Sequence, residues 1–182
     1  MRDMLLSMIV LAVIVLVLAA ITRSCSFSPG GPSVDASALP TVDVSAELGA
    51  AASQVRFPVR QPAPPADWRA NSASVAPIGA DNTHTVVTIG WLTAASRFVQ
   101  LNQSDASVTD LVDQVSGQSG GVTAQGSTLV AGQTWTVYQG VRDEQAWVRD
   151  LGPVRLLITG NGTPAEFSTL AAATQTAVIR TP

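Results

Sequence analysis

The sequence predicts an α+β protein: one N-terminal transmembrane helix, then a two-layer domain whose antiparallel sheet of about six to seven strands carries two helices on one face. Three observations predict it. Residues 4–21 (MLLSMIVLAVIVLVLAAI) form an apolar run with one polar side chain, Ser7, and no charge, proline or glycine. From Trp68 to Thr159, short β-branched and apolar segments are separated by Gly, Pro, Asn and Asp turns, without a helix after every strand. Two stretches, after Asp105 and after Thr163, repeat apolar residues every three or four positions behind a capping side chain.

The apolar run comes first. As a helix it extends roughly 27 Å at ~1.5 Å per residue, close to the ~30 Å hydrocarbon core of a bilayer. Its lipid-facing candidates are Met4, Leu5, Ile9, Leu11, Ile14, Leu16, Leu18 and Ile21. A cleaved signal peptide needs small residues before its cut, and a lipoprotein needs them before its cysteine; here Arg23 precedes Ser24 and Cys25. Those flanks favour an uncleaved signal anchor. Arg2 and the terminal amine outweigh Arg23, so the N-terminus is expected in the cytoplasm and the domain outside it. The expected layout is a cytoplasmic start at 1–3, an anchor at 4–22, a Pro/Gly/Ala/Ser-rich tether at 23–54 and an extracytoplasmic domain at 55–182.

Pro29-Gly30-Gly31-Pro32 opens the tether, and Gly49 weakens a short helix expected over residues 46–55. Phe57-Pro58-Val59 and the prolines after Gln61 lead into the domain in an extended form. Strands are expected over residues 68–75, 85–92 and 97–103. Asp105 is the expected cap of a helix to Val115, with Val108, Leu111, Val112 and Val115 as its stripe and Gly117 as its stop. Four strands follow over residues 122–130, 133–140, 145–151 and 154–159, punctuated by Ala131-Gly132, Arg142-Asp143-Glu144 and Gly152-Pro153. In the last helix Thr163 is the cap, Pro164 the first residue and Glu166 the reciprocal capping partner. Phe167, Leu170, Ala171, Thr174 and Val178 are expected to pack on the sheet.

Several of these segments resemble an actinobacterial family of single-span membrane proteins with an extracytoplasmic domain of unknown function. The likeness rests on Phe57-Pro58-Val59, Trp68-Arg69-Ala70-Asn71-Ser72, Ile89-Gly90-Trp91-Leu92, Gln103-Ser104, Gly132-Gln133-Thr134-Trp135 and Ile158-Thr159-Gly160. It implies a short cytoplasmic start, one span and a bacterial envelope location. It supplies no activity and no catalytic residue.

Composition narrows the function. Net charge is −3, and the ten basic residues, all arginine, form no run, which argues against nucleic acid as a partner. The single cysteine excludes an internal disulfide. His84 is the only histidine, and the chain has no Gly-x-Ser-x-Gly elbow, so no catalytic residue is assigned. One Cys and one His cannot close a zinc site, and Asp110, Asp113, Asp143 and Glu144 lack calcium-loop spacing; no metal or cofactor is expected.

Aromatic residues are the richest signal. Trp91, Trp135, Tyr138 and Trp147 are candidates either for the core or for an apolar pocket between sheet and helices; Trp68 and Arg69 are candidates for a protein interface. The expected function is therefore a non-enzymatic accessory or scaffold module that contacts other membrane or envelope proteins. A binding module for a lipid or other hydrophobic ligand is the alternative, and a hydrolase built on His84 the third choice.

Overall fold

The structure, a computed structural model, describes residues 8, 11, 14, 41–117, 123–139 and 144–182. The chain divides into two compact units, Met1–Leu39 and Pro40–Pro182. In the first, Met8, Leu11 and Ile14 are described; all three are helical and exposed. The remaining expected anchor residues, Met4, Leu5, Ile9, Leu16, Leu18 and Ile21, lie outside the described residues, as does Cys25. Among the described residues no helix is long and apolar enough to cross a membrane.

The second unit opens on a helix close to the short one expected over residues 46–55, but as part of the folded unit rather than of the tether. In α1 (Val44–Ala52) Asp43 is the cap: its carboxylate accepts from the N–H groups of Ser45 and Ala46. Leu48, Ala51 and Ala52 are buried in the main core, as are Val55 and Phe57 after them. The folded unit therefore begins near Pro40 rather than at residue 55, because this helix buries a face against the sheet.

The sheet grows from two meanders. The first is β2 (Arg69–Ile78), β3 (His84–Leu92) and β4 (Phe98–Ser104); the second is β5 (Ala124–Val130), β6 (Gln133–Gln139), β7 (Gln145–Asp150) and β8 (Arg155–Gly160). They join along β4 and β8, giving seven antiparallel strands in the order β2-β3-β4-β8-β7-β6-β5. Leu101 opposite Ile158 marks the buried centre. The opening strand β1 (Val59–Gln61) and the closing strand β9 (Val178–Arg180) form a separate antiparallel ribbon. Buried Gln103 stitches that ribbon to the sheet: its amide accepts from the Arg60 N–H at 2.8 Å and donates to the Arg60 carbonyl at 2.8 Å, imitating a strand partner.

Helices α2 (Val108–Ser116) and α3 (Pro164–Gln175) lie on opposite faces, which corrects the two-layer arrangement with both on one face. α1 and α3 cover one core with Val87, Ile89, Trp91, Val99, Leu101, Trp135, Trp147, Leu156 and Ile158. On the other face, Leu111 and Val112 of α2 pack with Ile78, Val86, Ala146, Val148 and Leu157. Successive residues such as Val86 and Val87, or Leu156 and Leu157, are all buried, and successive strand residues point to opposite faces. A sheet apolar on both faces needs cover on both.

Two other expectations shift. The cap of α2 is Ser107, whose hydroxyl accepts from the Asp110 N–H; Asp105 instead accepts from the Thr85 N–H. Val178 does not pack on the sheet, since α3 ends at Gln175 and Val178 is 67% exposed in β9. Thr163, Pro164 and Glu166 form the expected start of α3, with both capping bonds made. Two glycines are required by close approach. The ring of Phe98 lies across Gly90, where an added Cβ would come within 2.5 Å of it. Gly160 has φ 132°, and an added Cβ would collide with the Phe98 carbonyl.

Candidate functional site

The three strand tryptophans meet in one core. Trp91, Trp135 and Trp147 are 2%, 0% and 3% exposed, all on the face beneath α1 and α3. Trp147 stacks edge-on against Phe167 with centroids 5.5 Å apart, and its indole N–H donates to Gln145. The fourth candidate, Tyr138, is not brought to them. It follows Val137 in β6, so it points to the opposite face and packs beside the α2 core. Trp68 is half-buried against the main core, and Arg69, also half-buried, begins β2 opposite Leu92.

His84 starts β3, with Nδ1 3.4 Å from the Asp105 carboxylate. The serines flanking Asp105 are committed to the corner between β4 and α2. Ser104 donates to the Thr85 carbonyl and accepts from the Ala106 N–H, while Ser107 caps α2 and donates to Asp110. Asp105 joins β3 to this corner by accepting from the Thr85 N–H, and both neighbouring hydroxyls are taken up by the hydrogen bonds that hold it. Among the described residues no three His, Cys, Asp or Glu side chains gather as a metal site.

The most perturbed carboxyl is Glu166. Burial alone raises its pKa, but hydrogen bonds from Thr93 and from the backbone and hydroxyl of Thr163, with Arg97 3.5 Å away, overcome that and hold it at about 2. Thr163 belongs to the cap of α3 itself, while Thr93 and Arg97 fix that helix start to the β3–β4 turn, so the shift reports a structural latch.

Two strands end the sheet, β2 and β5, and the β2 edge runs beside a cleft. β2 lies at the end of the sheet order and pairs only with β3. Among the described residues, its other edge accepts one backbone hydrogen bond, from the Val42 N–H to the Ala70 carbonyl at 3.0 Å. The run Ala70 to Ala80 (ANSASVAPIGA) holds no charge, and Pro77 lacks an N–H at its far end. Between Arg69 and Pro77 such an edge leaves backbone donors and acceptors ready for another strand, with no charged side chain to blunt it. Beside it runs α1, leaving a cleft of about 260 Å³ lined by Glu47, Leu48, Ala51, Gln54, Ala73 and Val75. A second cleft, about 400 Å³, lies at the start of α3 with Gln145, Asn161, Gly162 and Phe167 on its walls. Neither cleft is lined by a tryptophan.

The sequence places α1 in the tether, so it does not predict the first cleft. The one signal that could have found it is the charge-free stretch in β2 beside a capped Ala-rich segment.

Neither a curated protein nor a solved structure matches the chain. A family model described as Protein of unknown function (DUF4245) matches residues 1–174. That match covers nearly all of the polypeptide, and the chain belongs to the DUF4245 family.

Proposed function

We propose that this protein is a non-enzymatic accessory module, held at a cell membrane by residues 4–22 with its N-terminus cytoplasmic and its folded unit outside, that docks an extended segment of another envelope protein. The observation that carries the docking is the singly paired edge of β2, uncharged from Ala70 to Ala80, beside the α1 cleft. An extended peptide can add to such an edge by main-chain hydrogen bonds, and alternate side chains then enter the neighbouring groove. Glu47 on the cleft wall gives the occupant its chemistry: an otherwise neutral segment with a basic residue at that end. The apolar run at residues 4–21 supports the membrane location.

The test is site-specific photo-cross-linking in cells. A photoreactive residue at exposed Ser74 should cross-link to one partner protein. Val75→Lys in the same chain should abolish co-purification of that partner from mild detergent while the melting temperature stays within about 2 °C. No cross-link, or cross-links only to second copies of this chain, overturns the reading. A binding module for a hydrophobic ligand is the second reading, supported by the cleft at α3 whose wall residue Phe167 is backed by Trp147. Native mass spectrometry of the protein released from detergent tests that one: a retained apolar ligand supports it.

A further inference from the structure

We infer that Arg60 and Arg149 together form a binding site for an oxyanion of the phosphate type, at the end of α3 away from its cap. The sheet register sets the pair. Gln103, Leu156 and Arg149 lie in one row across β4, β8 and β7, and alternation places all three on the face beneath α3. Arg60 sits over the first of them through its backbone clamp to Gln103. Two strand spacings separate the ends of that row, about 10 Å at ~4.8 Å each, which two arginine side chains can bridge around one tetrahedral anion.

The neighbours close the site without neutralising it. Arg60 Nη1 donates to the Thr174 carbonyl in the last turn of α3, and Arg149 Nη2 donates to the Gln133 amide. Gln175 donates to the Val130 carbonyl, tying the same helix end to the β5–β6 turn that Gln133 begins. Each guanidinium thus spends one nitrogen on a neutral oxygen. Neither guanidinium belongs to the ion pairs His84–Asp105, Arg97–Glu166 and Arg155–Asp150. The partial negative charge of the helix end, about half a unit, offsets only part of two full positive charges. Burial first, and then the charge of Arg149, lowers the Arg60 pKa, as expected of a cation facing another. Ile179, opposite Arg60 in the ribbon, is 52% exposed, so a phosphate carrying an apolar tail has a surface beside it.

The experiment is calorimetric titration of the full chain in a neutral detergent, with inorganic phosphate in one arm and phosphatidylglycerol in mixed micelles in the other. Saturable binding is expected in at least one arm, weakened about tenfold or more by Arg149→Gln and by Arg60→Gln. Binding in both arms identifies a general phosphate site. Binding in the lipid arm alone, weakened by Ile179→Ser, identifies a headgroup site. Without anion, Arg149→Gln should melt at the same temperature as the parent or higher, because it removes a repulsion; an arginine that merely braces Gln133 predicts a lower value. The inference is overturned by no saturable binding in either arm, or by binding that survives both arginine substitutions.

Discussion

Leu48→Ala asks whether α1 is part of the folded unit. Leu48 is 1% exposed and sits in the main core with Ala51, Ala52, Val55 and Phe57. Truncation removes most of a buried leucine side chain and leaves a hole against a rigid sheet, a change that typically costs ~2–5 kcal/mol. Taking ~3 kcal/mol, and ~2–4 °C of melting temperature per kcal/mol for a domain of this size, the expected fall is about 6–12 °C. A folded unit holds about 5–15 kcal/mol in all, so this one helix position accounts for a sizeable share. The assay is thermal unfolding of the full chain in neutral detergent, followed by tryptophan fluorescence, since Trp91, Trp135 and Trp147 report on the same core. The companion is Gly49→Ala on the same helix. An added Cβ there meets only the Arg180 guanidinium at 3.6 Å, an ordinary contact, so relief of glycine's backbone entropy should raise stability by ~0.5–1 kcal/mol. A tether would be indifferent to both substitutions. If Leu48→Ala shifts the transition by less than about 2 °C, the reasoning fails.

Glu166 makes stability pH-dependent. Its pKa in the fold, about 2, lies below the usual 4.5, so its contribution is complete above pH 4.5 and drains away as the pH falls toward 2. Arg97 is half exposed, so the expected cost of Glu166→Gln at pH 7 is only ~1–2 kcal/mol, closing to nothing near pH 2; a gap independent of pH across acid denaturation curves would refute it. Gln103→Leu removes the clamp and leaves the Arg60 N–H and carbonyl unpaired, which should cost ~2–4 kcal/mol in urea unfolding and speed hydrogen exchange in β1 before the sheet; unchanged exchange there would count against the clamp.

Much of the domain was legible along the chain. The seven sheet strands were read to within a few residues, because β-branched and apolar runs between Gly-Pro turns have little alternative. α3 was legible to its first residue, since Thr163, Pro164 and Glu166 make a local device whose parts are all within one turn. α1 was legible as a short helix near residues 46–55 but not as part of the core, because its buried face is mostly alanine and alanine reads the same in a tether. Asp105 and Ser107 are both good caps, and only the approach of β3, which brings the Thr85 N–H to Asp105, assigned the role to Ser107.

By itself, then, the sequence determined what local chemistry determines: an apolar run of membrane length, an antiparallel α+β domain, the strand tryptophans and the capping of α3. Only the tertiary structure decided which face each helix covers, that Tyr138 parts from the tryptophans, that β1 and β9 pair, and that β2 keeps an open edge. Those outcomes depend on contacts between distant positions, such as the Arg180–Gln61 bond across 119 residues. Periodicity tells a strand which residues share a face, but the choice of neighbour and of covering layer is made by the whole fold at once.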